Sequence, residues 1–144
     1  MDKRPVFWSD QIAFGITHKF PDRDTYVCAS GITPSGRVHV GNFREIITTD
    51  FVVKSLQHRG EQTRFIYSWD DYDRFRKVPK DVPDEWEQYL GLPVAAVPDP
   101  WDCHDSYARH FEAQLEDELD DFHMDVEFIR QSQMYQQSTY ANLI

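Results

Sequence analysis

The chain is short of cations, poor in cysteine and without a long apolar run. Its 15 Lys and Arg stand against 25 Asp and Glu, a net charge of −10 over 144 residues. That balance excludes a broad, non-specific nucleic-acid surface, which needs clustered Lys and Arg, so no DNA partner is expected. The one dense basic stretch is Arg74, Arg76, Lys77 and Lys80, whose plainest reading is a solvated loop. Two cysteines, Cys28 and Cys103, make no disulfide framework. No apolar run approaches the ~18 residues of a membrane span. No apolar signal core follows residues 1–5, so a soluble, cytoplasmic protein is expected and no membrane partner.

What is present suits one ordinary domain. Forty per cent of residues are hydrophobic and 15% aromatic, enough for a core dominated by rings. Trp8, Ile12, Ile16 and Phe20 recur every four residues, predicting a short helix capped by Ser9 or Asp10 and ending near Pro21. Residues 26–30 read as a buried strand. A Gly-rich turn follows, and then a helix over residues 43–59. Its apolar face is Phe43, Ile46, Ile47, Phe51, Val52, Val53 and Leu56, its start the pair Asn42 and Glu45, its end Gly60. Residues 63–69 read as a second strand. Strand, helix, strand makes a βαβ unit with parallel strands. The aspartates at 70, 71 and 73 then fall at the carboxyl edge, where open α/β sheets bind ligands.

From residue 74 to 101 the periodicity fails, and five of the eight prolines lie there. Only residues 84–90 look helical. Residues 74–105 are therefore read as an irregular insertion with little core of its own, the kind of segment that is functional or held by something. A helix returns over residues 106–122, burying Tyr107, Phe111, Leu115, Leu119 and Phe122, with Glu112, Glu116, Asp117, Asp120 and Asp121 turned to water. Residues 126–129 make a third strand.

Two segments carry chemistry. Between the first strand and its helix lies Gly31-Ile32-Thr33-Pro34-Ser35-Gly36-Arg37-Val38-His39-Val40-Gly41-Asn42. Strand, Gly-rich turn and helix is how a chain builds a phosphate site, because free N–H groups and the helix dipole face the anion. The second segment holds Asp99, Cys103, His104 and His110, an acceptable tetrahedral donor set for zinc. On one ideal helix Cys103 and His110 would lie roughly 10 Å apart, so the helix must begin after His104, with Asp105 as its N-cap. From residue types alone, surface histidines beside a buried thiol remain an equal reading.

The first segment resembles the opening of the class I lysyl-tRNA synthetases, with His39-Val40-Gly41-Asn42 in place of the class I His-Ile-Gly-His signature. The similarity continues through residues 64–67, 70–78 and 98–100 and through Cys103-His104-Asp105-Ser106-Tyr107-Ala108-Arg109-His110-Phe111. It spans about residues 8–135. It implies an α/β fold, a Rossmann-like parallel sheet that is incomplete here, with a zinc-bearing insertion. It implies a lysine–tRNA ligase that activates lysine with ATP, Mg2+ assisting, and serves tRNA(Lys). By resemblance, Pro34, Ser35, Gly36, His39, Gly41 and Asn42 bind ATP, with His39 and Asn42 catalytic. Gly41 is the position on which adenine packs. Gly31, Thr33 and Asp70 face lysine. Asp99, Cys103, His104 and His110 hold Zn2+. The family's Lys-Met-Ser-Lys-Ser loop, second zinc site and anticodon-binding region have no counterpart among these residues, so activity of this chain alone is not expected. The alternatives are an inactive paralogue that binds tRNA or a synthetase, and another nucleotidyltransferase. The zinc-ligand spacing argues against the latter. Oligomeric state is left open.

Overall fold

The computed structural model describes residues 7–141. The readings for residues 1–5 lie outside that range. Helix α1 (Trp8–Lys19) leads to strand β1 (Tyr26–Ile32), helix α2 (Val40–His58) and strand β2 (Thr63–Trp69). Two 3-10 turns, Asp84–Tyr89 and Val94–Ala96, punctuate the insertion. Helix α3 (Tyr107–Asp121), strand β3 (Glu127–Arg130) and the short α4 (Gln131–Gln136) follow. The three strands are parallel in the order β1-β2-β3, with Cys28 opposite Phe65 and Tyr67 opposite Phe128. The fold class is the parallel α/β sheet that the sequence implies.

One sheet face carries the core. Phe65, Tyr67 and Trp69 alternate along β2 with partly exposed residues. They pack on Ile46 and Val53 of α2 and on Leu115 and Leu119 of α3. On the other face Val27 is 56% exposed, and Arg64 makes a bidentate ion pair with Glu127 across the strands. Parallel sheets are usually covered on both faces; among the described residues this one is covered on one.

Four local expectations are corrected. The buried side of α1 is Ser9, Ala13 and Thr17, while Trp8, Ile12 and Phe20 are largely exposed. Small residues win because α1 lies close against α2, where Ser9 and Ser55 share a hydrogen bond of 2.7 Å and Ala13 is fully buried. Neither Ser9 nor Asp10 caps the helix; its N-cap is Phe7. Helix α2 begins at Val40, and its capping box is His39 with Asn42 rather than Asn42 with Glu45. Phe51 on α2 is 41% exposed and joins Phe7 and Trp8 in an aromatic cluster instead of the core.

The insertion has a core, contrary to expectation. Phe75, Val82, Val94 and Val97 bury against Tyr107, Ala108 and Phe111 of α3. Periodicity missed it because these residues come from turns. The N-cap of α3 is Ser106, whose Oγ accepts from the Arg109 N–H, and not Asp105. Phe122 lies beyond α3 and is 52% exposed, while Glu112 is buried. That carboxylate sits among Arg130, Arg109 and Glu116: Arg130 donates to Glu112 at 2.6 Å and to Glu116 at 2.7 Å. Burial pushes the Glu112 carboxyl up; the Arg130 hydrogen bond and charge oppose it.

Candidate active site and metal centre

The turn after β1 is held from three sides. Gly31 lies in the strand, not the turn, and a Cβ there would stand 2.5 Å from the Ser68 carbonyl oxygen, so β2 approaches as only glycine allows. Beyond it the Asp70 N–H donates to the Ile32 carbonyl at 3.0 Å. Thr33 Oγ1 donates to Asp73 at 2.8 Å. Pro34 is buried, and the Tyr107 hydroxyl donates to the Ser35 carbonyl at 2.9 Å, tying α3 to the turn. Burial, with Asp81 adding to it, pushes that phenol up to about 12, so it stays a donor throughout the neutral range.

At the turn's far end, His39 is the N-cap of α2. Its Nδ1 accepts from the Gly41 N–H at 3.1 Å, and its own N–H donates to Asn42 Oδ1 at 3.4 Å. An accepting Nδ1 places the proton of a neutral ring on Nε2, which makes that atom a donor. A Cβ on Gly41 would lie 2.9 Å from His39 Cε1, so glycine here also makes room for the ring. His39, Gly41 and Asn42 thus form one unit at a helix N-terminus, and Gly31, Thr33 and Asp70 form another at the carboxyl ends of β1 and β2.

Of the second unit, Asp70 borders a cleft of about 450 Å3, with Tyr72, Asp73, Gln131, Tyr135 and Tyr140. Gly31 and Thr33 do not line it, and Thr33 is linked to it through Asp73. Two exposed carboxylates and three phenol rings suit a cation. Tyr72 lies on Tyr135 with centroids 4.9 Å apart, and the Tyr140 hydroxyl donates to Gln131. Gln131 in turn donates to Ser68 Oγ, which donates to Asp70. Asp71 is different. It is 2% exposed and accepts from the Ser132 N–H and hydroxyl, so it fixes the start of α4 and does not face the cleft. Sequence reading missed Gln131, Tyr135 and Tyr140. Their signal is topological: they follow β3, whose carboxyl end shares an edge with β1 and β2.

Asp99, Cys103, His104 and His110 come together as expected, with donor atoms all within 4.8 Å of one another. Cys103 Sγ is 3.2 Å from Asp99 Oδ2, from His104 Nδ1 and from His110 Nδ1. The carboxylate oxygen is 3.8 Å from His104 and 3.5 Å from His110. A tetrahedron with zinc–ligand bonds of ~2.0–2.3 Å has edges of roughly 3.3–3.8 Å, so the set fits the ion. Asp99 is pre-oriented. Burial raises its pKa, but N–H bonds from Trp101, Cys103 and His104 and the Cys103 thiol outweigh that and hold it low. Burial first, then Asp99, pushes the Cys103 thiol up; a cation among the four would reverse that. His110 stacks on Trp101 at 4.3 Å and contacts Gln114 through its other nitrogen, the outer contact that fixes a ligating imidazole.

Among the described residues, no helix is long and apolar enough to cross a membrane. The family model for tRNA synthetases class I (K) matches residues 6–144. The chain is 55% identical over 139 residues to the lysine–tRNA ligase of Pyrococcus furiosus, covering 96% of this chain and 27% of that protein. It is 49% identical over 139 residues to the enzyme of Pyrococcus horikoshii, with the same coverage. It is 48% identical over 144 residues to that of Treponema pallidum, covering 99% of this chain and 27% of the relative. The chain therefore spans about a quarter of the length of these relatives. It belongs to the class I (K) family of tRNA synthetases.

Proposed function

We propose that this chain is the ATP- and lysine-binding part of a lysine–tRNA ligase that works in the cytoplasm. The observation that carries the proposal is the pairing of two sites on one sheet edge. A histidine-capped helix N-terminus serves anionic phosphates, and an acidic, aromatic cleft serves a cation.

In the reaction, a lysine carboxylate oxygen attacks the α-phosphorus of ATP. The bond to the bridging oxygen breaks, pyrophosphate leaves, and lysyl-adenylate remains. A ribose hydroxyl of tRNA(Lys) later takes the lysyl group and AMP leaves. The protein's task is to position two reactants and stabilise charge on phosphate oxygens. His39 Nε2–H and the first N–H groups of α2 donate to phosphate, and Asn42 keeps the cap formed. Pro34, Ser35 and Gly36 shape the nucleotide side, and Gly41 leaves space for adenine. On the other side, Asp70 offers its carboxylate to the lysine ammonium, while Thr33 holds Asp73 at the wall of the cleft and Gly31 lets β1 and β2 approach beneath it. Mg2+, if bound with ATP, would lower the charge on its phosphates. Asp99, Cys103, His104 and His110 would hold Zn2+, which supplies a structural cross-link between the insertion and α3.

The test is lysine-dependent ATP–pyrophosphate exchange by the protein that carries this chain, native and His39→Ala. Exchange that falls at least about 100-fold in the variant, the scale of a lost transition-state donor, supports the proposal. No exchange by the native protein while ATP still binds would favour a non-catalytic binding module.

A further inference from the structure

Helix α4 is held from outside. Its six residues bury no side chain, and its N-cap, Arg130, makes no side-chain capping bond. An isolated helix of that length does not persist in water. Asp71, from a distant segment, takes the place of the cap. Its carboxylate accepts from the N–H of Ser132, the second residue of the helix, at 2.7 Å, and from the Ser132 hydroxyl. An anion suits that end of a helix, where the first N–H groups lack partners. Asp71 is itself tied down. It is 2% exposed, its carbonyl accepts from the Ala95 N–H at 2.9 Å, and the Asp73 carbonyl accepts from the Val94 N–H at 2.8 Å. The aspartate is therefore the fixed partner, and α4 is what it places.

What α4 carries is one wall of the 450 Å3 cleft: Gln131 and Tyr135, with Tyr140 beyond. Tyr135 lies on Tyr72 across that cleft. Gln131 begins a relay with a fixed direction. The Tyr140 hydroxyl donates to its Oε1 at 2.8 Å, which leaves Nε2 to donate to Ser68 Oγ at 2.7 Å. Ser68 has one hydroxyl hydrogen, and with its oxygen accepting from Gln131 that hydrogen goes to Asp70 at 3.3 Å. The exposed carboxylate offered to the cation is thus oriented from α4, and α4 from Asp71. We propose that Asp71 is a positioning residue for lysine: it never touches the ligand, yet it sets the wall that aims Asp70 and Tyr135 at the ammonium. This rests on the proposed ligase reading and adds to it a buried group on which lysine affinity depends.

The test uses the protein that carries this chain, native and as Asp71→Ala, Asp71→Asn and Ser132→Ala. Lysine-dependent ATP–pyrophosphate exchange gives kcat and the KM for each substrate. Amide hydrogen exchange over residues 131–136 reads how firmly α4 is held. Asp71→Ala should raise KM for lysine about tenfold, the scale of a lost hydrogen bond to a charged group. Its KM for ATP and its kcat should be kept, as for a loss of ground-state binding alone, and its α4 amides should exchange faster. Asp71→Asn keeps an acceptor for the Ser132 N–H and should restore most of both. Ser132→Ala, at a half-buried position that retains its N–H, should give a smaller rise in the same KM, and it decides the matter if Asp71→Ala does not fold. Native α4 protection in Asp71→Ala, an unchanged KM for lysine in a loosened α4, or an equal loss for ATP and kcat overturns the assignment. So does Asp71→Asn that behaves like Asp71→Ala, which would make the charge the cause and not the hold on α4. A native protein without lysine-dependent exchange would count against the ligase reading, and the α4 protection of the variants would still decide whether Asp71 holds that wall.

Discussion

Replacing Arg130 by Met should destabilise the chain by about 3 kcal/mol at pH 7, the low end of the 3–5 kcal/mol range for breaking a buried ion pair. Glu112 has a side chain only 2% exposed, and Arg130 is its shortest cationic contact at 2.6 Å. Arg109 stays 3.4 Å from Glu112 after the change, which sets the loss at the low end. At roughly 3 °C per kcal/mol for a domain of this size, the melting temperature should fall by about 10 °C. The loss must depend on pH. Burial raises the folded-state pKa of Glu112 above its ordinary value. A carboxyl raised in this way favours the folded state fully below its unfolded pKa, and that advantage is lost as pH rises through the folded value. Removing Arg130 moves the folded value higher still. The difference between variant and native should therefore be greatest at neutral pH and shrink on acidification toward pH 4.5. Adding Glu112→Gln, which removes the stranded charge, should recover part of the loss at pH 7. Urea unfolding at pH 7 and pH 4.5 reads all three proteins. A change within about 0.5 kcal/mol at pH 7, or one independent of pH, would refute the reasoning.

Gly31→Ala should cost about 1–3 kcal/mol, because its Cβ meets a backbone oxygen that cannot turn aside; thermal unfolding checks it. Gly41→Ala should leave stability within about 1 kcal/mol yet weaken ATP binding, since the atom it crowds is the His39 ring; calorimetry would show the split. Tyr107→Phe removes the bond to Ser35 and should cost about 0.5–1.5 kcal/mol, read by urea unfolding. Elemental analysis should find about one zinc per chain, and Cys103→Ser should lower the affinity, as the chemistry of the donor set requires.

Much of the fold is legible in the sequence because its periods are local. The alternation that buries Phe65, Tyr67 and Trp69 and the turn chemistry around residues 31–42 predict the βαβ unit. What escaped depends on contacts between distant segments. The small-residue face of α1 makes sense only once Ser9 meets Ser55. Glu112 looks like part of a solvated acidic face until β3 delivers Arg130. The insertion's valines obey no period because they come from turns. For Asp99, Cys103, His104 and His110, spacing and chemistry alone left surface histidines an equal reading, and the resemblance tipped it; what the structure adds is that their donor atoms gather within 4.8 Å. The tyrosine side of the cleft was not legible, since Tyr72 and Tyr135 meet only through the parallel order of the strands.

The central claim is that one sheet edge holds ATP on its His39 side and lysine on its Asp70 side. Amide-resolved NMR titration of the chain with ATP and then with lysine tests it most directly. The account predicts that ATP shifts residues 33–42, that lysine shifts residues 70–73 and Gln131, and that His39→Ala abolishes the ATP response with its spectrum still dispersed. ATP shifts confined to another surface, or His39→Ala that unfolds the chain, would contradict it.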